Sequence, residues 1–144
     1  MSDTGEAPAL RPLPLPDDSS APFWEAAREG RLVIQRCTSC RRWNHAPGLL
    51  CPACGSRDLA FEQVSGKATL FSWTVIKEAP APGFKGRVPL IVGLAELAEQ
   101  PHLLLAANIL GVEETGLKLG MPLEVEFEAV NAECTIPQFR AVGG

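Results

Sequence analysis

The sequence predicts a mainly β protein: one short N-terminal helix, a metal-bound ribbon, then a five-stranded barrel. Three observations predict it. Four of the five cysteines fall in two Cys-x-x-Cys pairs, Cys37/Cys40 and Cys51/Cys54, in "RCTSCRRWNHAPGLLCPACGS". Beyond residue 64 the apolar residues recur mostly with a period of two, the mark of half-buried strands. Helical character is confined to one stretch, "SSAPFWEAAREG".

The first 18 residues, with "RPLPLP" at their centre, read as an extended, flexible tail with little to bury. Residues 19–31 form the helix. Ser20 caps it, Pro22 suits its first turn and Gly30 stops it. Phe23 and Trp24 dock this helix, either on its own ribbon or on a partner surface.

Residues 32–63 make the ribbon: "RLVIQR" leads into the first cysteine pair and "DLAFEQV" leaves the second. Residues 64–144 make the barrel, entered through the turn at "SG". Its strands are "KATLFSWTVIKEA", "VPLIVGLAEL", "HLLLAANIL", "GMPLEVEFEAV" and "ECTIPQFRAV". In the fourth, Leu123, Val125, Phe127 and Ala129 alternate with Glu124, Glu126 and Glu128, which places the former inward. Phe71, Trp73 and Val75 fall on one face of the first, as core or as an exposed stacking platform. Five strands in this length suit a small closed barrel of the OB type; an open sheet packed on the helix is the alternative.

The composition narrows the class. No apolar run approaches the roughly 20 residues of a membrane span. The acidic, Pro-rich start lacks the features of a signal peptide, so a cytoplasmic protein is expected. In that reducing setting, paired cysteines bind metal more readily than they form disulfides. The net charge of −4 hides a division. Residues 1–27 carry one Arg against five acids, residues 28–87 ten bases against four, and residues 88–144 two bases against eight.

Two Cys-x-x-Cys hairpins brought together place four thiolates about 2.3 Å from one ion, the geometry of structural zinc. Cys37, Cys40, Cys51 and Cys54 are therefore the expected ligands of a single zinc. Gly55 supplies the flexible corner of the second knuckle; Arg41 stands in that position in the first and makes a less ideal turn. With all four positions filled by sulfur, the ion is structural and holds a segment too small for a core of its own. Arg36, Arg41, Arg42 and Arg57 either offset the thiolate charge or meet a phosphate or acidic partner. His45 reads as a loop residue and Cys134 as a small apolar one. No phosphate loop, nucleophile elbow or His-Glu-x-x-His helix is present.

The order of these parts resembles a known family: acyl-CoA-associated proteins that join a rubredoxin-like zinc ribbon to an OB-fold. "PFWEAAREGRLVIQRCTSC", "CPACGSRDL", "VSGKATLFSWTVI", "APAPGF", "VPLIVGLAEL", "LGMPLEVEFE" and "TIPQFR" carry the resemblance, over about residues 19 to 142. It implies a non-catalytic accessory subunit. The partner would be a thiolase-superfamily enzyme (thiolase, acyltransferase or aldolase) or a hotdog-fold enoyl-CoA hydratase, and would carry the catalytic residues. This chain would support the partner and help to form the acyl-CoA passage. Phe84, Lys85 and Arg87, in the loop "EAPAPGFKGR", are the expected contacts with acyl-CoA or the partner, since a coenzyme A receptor needs cations at its mouth.

Two other functions compete. Zinc ribbons and OB-folds also serve nucleic-acid binders, but the acidic last third and the few aromatics weigh against that reading. Iron in the four-sulfur site would make an electron carrier, for which the large barrel has no use.

Overall fold

The computed structural model describes residues 12–143. Most of the predicted tail, residues 1–11, lies outside them, and residues 12–17 carry no regular secondary structure. Helix α1 spans Ala21–Arg28. Its entry differs from the expected cap: the Ser20 hydroxyl accepts the Asp17 amide at 3.0 Å, and the Asp17 carboxylate accepts the Ser20 amide at 2.8 Å. The two side chains close a turn ahead of the helix, so Ser20 gives it no side-chain cap, and the Ala21 amide is held instead by the Asp17 carbonyl at 2.8 Å. Phe23, Ala26 and Ala27 are buried along one stripe, and α1 lies against both the ribbon and the barrel.

The ribbon is a three-stranded antiparallel sheet of β1 (Val33–Cys37), β2 (Trp43–Asn44) and β3 (Leu59–Gln63), with β1 in the middle. Below it the chain forms β4 (Lys67–Ile76), β5 (Leu90–Leu97), β6 (Leu104–Leu110), β7 (Pro122–Ala129) and β8 (Thr135–Ala141). These close in the order β4-β5-β6-β8-β7, β7 returning to β4 through pairs such as Ala68 with Leu123. Only β6 and β8 run parallel; the other barrel pairs are antiparallel. That is a five-stranded barrel of the OB type, and closure removes the open-sheet alternative. Leu70, Leu97, Leu123 and Phe139 are its most deeply buried large side chains. Among the described residues no helix is long and apolar enough to cross a membrane.

Two expectations about strand faces change. A β-bulge between Leu70 and Ser72 leaves Phe71 without a partner on β5. An inserted residue reverses the alternation, because side chains point in and out with a period of two. Ala68 and Leu70 face inward before the bulge, whereas Trp73 and Val75 pack against the core after it. Phe71 is left outside, 42% exposed, and does not share a face with Trp73. In β7 only Leu123 is fully enclosed. Val125 and Phe127 are half-buried against the core and Ala129 is exposed. Pairing of β7 with β4 ends at Glu124, so its second half has β8 as its only neighbour.

The ribbon passes to the barrel through Gly66, which has a φ of +83°. Its carbonyl accepts the Val125 amide at 2.8 Å, and a Cβ here would collide with Val125 Cγ1. Val125 is β-branched and held in a strand, so it cannot swing away. Gly66→Ala should therefore destabilise the protein by about 2 kcal/mol or more, from left-handed strain and overpacking together. Urea unfolding checks this; an unchanged midpoint would mean that the junction is not held as described.

Candidate functional site

The metal centre is built from two similar knuckles. In the first, the Arg41 amide returns to the Cys37 carbonyl at 2.9 Å; in the second, the Gly55 amide returns to the Cys51 carbonyl at 2.8 Å. Each turn ends in a left-handed residue, Arg41 at φ +68° and Gly55 at φ +78°. Arg41 adopts there the conformation that glycine takes in its counterpart, at a cost of about 1–2 kcal/mol. Hydrogen bonds from the Thr38 amide and hydroxyl to the Asp58 carbonyl, at 2.8 and 2.9 Å, tie the knuckles together. Ser39 and Ser56 meet through their hydroxyls at 3.1 Å.

The four sulfurs converge. Cys37 and Cys54 Sγ are 3.6 Å apart, Cys40 and Cys51 Sγ 3.7 Å, and all four lie within 4.8 Å of one another. A tetrahedron of sulfurs 2.3 Å from a central ion has edges of about 3.8 Å, so this donor set fits one metal ion. Cys37 and Cys51 are buried, while Cys40 and Cys54 form the outer edge.

The thiols are already polarised. The Cys54 amide, ahead of the other donors, brings the Cys51 thiol down to about 6, and the Cys40 amide lowers Cys37. The Ser56 amide also favours a thiolate at Cys54, but the neighbouring thiols and burial outweigh it and push that group up to about 11. Four thiolates cannot coexist this closely without a cation. Cys51 thus offers an anionic ligand at neutral pH, and metal uptake should fall steeply as the pH drops below about 6, where this thiol keeps its proton. Thiolate-to-cobalt absorption of a cobalt-substituted sample measures the dependence. Full uptake at pH 5 would contradict it.

Charges around the centre divide in two. Arg36 stacks 4.4 Å over the Trp43 ring, and both Arg36 and Arg41 reach Glu62, at 3.3 and 3.2 Å. Arg42 and Arg57 are exposed and form no ion pair among the described residues.

The ribbon is fixed to the barrel by side-chain amides. Gln100, in the β5–β6 turn, accepts the Trp43 amide and donates to the Trp43 carbonyl, each at 3.0 Å. Gln35, buried in β1, holds Gly48 by the same two-bond pattern at 2.8 and 3.0 Å. Glu99 accepts the Ser65 amide at 2.8 Å. No periodicity or motif marks these residues, because each role depends on a backbone far away in sequence.

Phe23 is buried in the shared core, in edge contact with Trp24 at 5.0 Å and near the His45 ring at 5.6 Å. These three line an apolar cavity of about 270 Å³ with Val92, Ile136 and Asn108 from the barrel. Burial lowers the His45 pKa, which keeps that ring neutral. A second cavity of about 340 Å³ lies on the other side of Asn108, bordered by Gln138, Leu110 and Arg87. Phe84 ends a short 3-10 turn, Pro82–Phe84, and is half-buried, whereas Lys85 is exposed. Arg87 pairs with Glu128 at 3.3 Å, Glu128 accepts Gln138 at 2.8 Å, and Gln138 accepts Asn108 at 3.3 Å. Phe84 adjoins the start of this relay through its backbone, its carbonyl accepting the Arg87 amide at 2.9 Å, while Phe23 and Trp24 lie at another cavity. Asn108, which borders both cavities, connects the two places together with its partner Gln138.

Two family models match the chain: the ChsH2 rubredoxin-like zinc ribbon domain over residues 24–60, and the ChsH2 C-terminal OB-fold domain over residues 61–128. A chain of the solved Ltp2-ChsH2(DUF35) aldolase is 35% identical, with a TM-score of 0.81 across 89% of this chain and 98% of that one. This chain belongs to the ChsH2 family. Among curated relatives, a probable enoyl-CoA hydratase alpha subunit from Thermomonospora curvata is 37% identical over 92% of this chain. The match takes in 40% of that protein's length. A DUF35 domain-containing scaffold protein from Pyrococcus furiosus is 37% identical over 53% of this chain and 54% of its own length. A DUF35-family protein of unknown function from Sulfolobus solfataricus shares the fold at 13% identity, with a TM-score of 0.62 over 87% of this chain and 86% of that one.

Proposed function

We propose that this ChsH2-family chain is a non-catalytic subunit that assembles with a thiolase-superfamily enzyme acting on acyl-CoA, with Cys37, Cys40, Cys51 and Cys54 holding one structural zinc. One observation carries the reading: the likeness to a chain of the Ltp2-ChsH2(DUF35) aldolase covers 89% of this chain, ribbon and barrel alike. Four sulfur donors within 4.8 Å of one another suit zinc and leave it no open position for substrate. The ion crosslinks the two knuckles, and chemistry falls to the partner.

The residues suit a passage for an acyl chain. The cavity at Phe23, Trp24 and His45 is apolar, and the one near Arg87 adds a cation and two carboxamides, Asn108 and Gln138, to a mainly apolar lining, which suits an acyl chain with a polar head. Phe84 and Lys85 lie in the turn just before Arg87, whose amide donates to the Phe84 carbonyl at 2.9 Å. Replacing both by Ala should leave the fold intact and lower turnover by the complex several-fold; unchanged kinetics and assembly would remove the loop from this role.

A second reading takes an enoyl-CoA hydratase as the partner enzyme, favoured by the 37% identity to the hydratase alpha subunit. Co-expression with each class of candidate, followed by size-exclusion chromatography and thioester assays, distinguishes them. The isolated chain should turn over no acyl-CoA. Turnover by the pure chain would overturn the proposal.

A further inference from the structure

Asn108 borders both cavities, and its side chain is oriented from a distance. Asn108 in β6 and Gln138 in β8 each precede a core residue, Ile109 and Phe139, and these two pair across the strands. Strand alternation therefore sets the two carboxamides side by side on the outer face of the barrel. Gln138 is only 5% exposed there, so both ends of its amide need partners. It has them in Glu128 at 2.8 Å and Asn108 at 3.3 Å.

The direction of this relay is fixed at one end. Glu128, paired with Arg87 at 3.3 Å, is a carboxylate and can only accept. Gln138 must then donate its Nε2 to Glu128, which turns its Oε1 toward Asn108. Asn108 must in turn donate its Nδ2 to Gln138. Neither amide can flip without setting two acceptors or two donors against each other. Asn108 is thus left with its Oδ1 pointing away from the relay, and the bond to Gln138 is the only one its side chain forms among the described residues. The residue is half-buried rather than sealed.

The surroundings define what this oxygen can hold. The cavity of about 270 Å³ has no charged side chain in its wall, and burial keeps its His45 neutral. In the cavity of about 340 Å³ the one charged side chain, Arg87, already has Glu128. An ion would find no free counter-charge in either place. An unmet acceptor between two largely apolar spaces calls for an uncharged donor. We infer that Asn108 Oδ1 is a positioning acceptor: it holds an uncharged O–H or N–H group of an acyl-CoA ligand where the two cavities meet, with apolar segments of the ligand on either side. Glu128 and Gln138 act through Asn108, by keeping its oxygen turned to the ligand.

For its natural ligand the inference rests on the passage proposed above, but its test needs no partner enzyme. The metal-loaded, 15N-labelled full chain is titrated by NMR with two pairs of probes. 4-Methylphenol against 4-methoxytoluene reads an O–H donor, and N-methylbenzamide against N,N-dimethylbenzamide reads an N–H donor. In at least one pair the donor should bind about fivefold tighter than its capped analogue, the gain of one hydrogen bond, and should shift the Asn108 side-chain and Trp24 indole signals. The pair that shows the preference tells a hydroxyl of the acyl group from an amide of the coenzyme arm. Asn108→Leu should abolish the preference. Glu128→Gln, which can donate and so lets the relay reverse, should cut it to about twofold or less and keeps the test open if the leucine variant does not fold. Equal affinity within both pairs, no binding of any probe, or a preference that survives either substitution would overturn the inference and leave assembly with an enzyme standing. Failure of the chain to bind any enzyme would sink the assembly and leave the donor preference at Asn108 intact.

Discussion

Replacing Cys51 by serine is expected to abolish metal retention, unfold the ribbon and release the partner enzyme, while leaving the barrel folded. Cys51 is buried, opposes Cys40 at 3.7 Å and has its thiol drawn down to about 6. Serine can neither supply a thiolate nor bridge the gap. Structural zinc in small domains contributes roughly 10–16 kcal/mol of apparent binding free energy, far above what a three-stranded ribbon gains from its own burial. The barrel has a closed hydrogen-bond circuit and its own core around Leu70, Leu97, Leu123 and Phe139. Metal analysis, hydrogen exchange and co-elution with the partner form the measurement. Exchange should accelerate in residues 33–63 and hold in the barrel strands. A variant that kept both metal and partner would refute a structural role for the ion.

Gln100→Ala carries the second large effect. Its side chain meets both polar atoms of the Trp43 backbone at 3.0 Å, and Trp43 is only 7% exposed. Alanine would strand a buried amide and a buried carbonyl at about 1–3 kcal/mol each, a loss of about 2–6 kcal/mol if water cannot reach them. The loss should concentrate at the joint. Ribbon amides would exchange faster while metal content stays at one ion per chain, which separates this variant from the cysteine one. Gln100→Glu should do nearly as much harm, because a carboxylate can accept the Trp43 amide but cannot donate to its carbonyl. If both variants matched the unmodified chain in stability, the joint would be held by other contacts.

The contrast between these two sites explains how far the sequence could be read. The cysteine pairs are local: two residues between ligands and one tight turn make a pattern visible in a string. The alternation of β5, with Ile91, Gly93, Ala95 and Leu97 facing inward, is equally local. Phe71 was misplaced because a bulge leaves no trace in composition; whether a strand carries an extra residue depends on the register of its neighbour. Glu126 and Glu128 read as a solvated face, yet Arg140 grips Glu126 at 2.8 and 2.9 Å and Arg87 reaches Glu128. Those partners lie 14 and 41 residues away. Ser20 was assigned to the helix, and Asp17 claimed it first.

The amino-acid sequence alone determined the order of helix, ribbon and barrel, because these follow from short-range periodicity, turn residues and ligand spacing. Tertiary structure decided that the barrel closes, that Gln100 and Gln35 lock the ribbon, and that a bulge turns Phe71 out of the barrel beside His102. Contacts between residues far apart in the chain exist only once strands have chosen their register. No local preference encodes that choice, which the packing of the whole core settles.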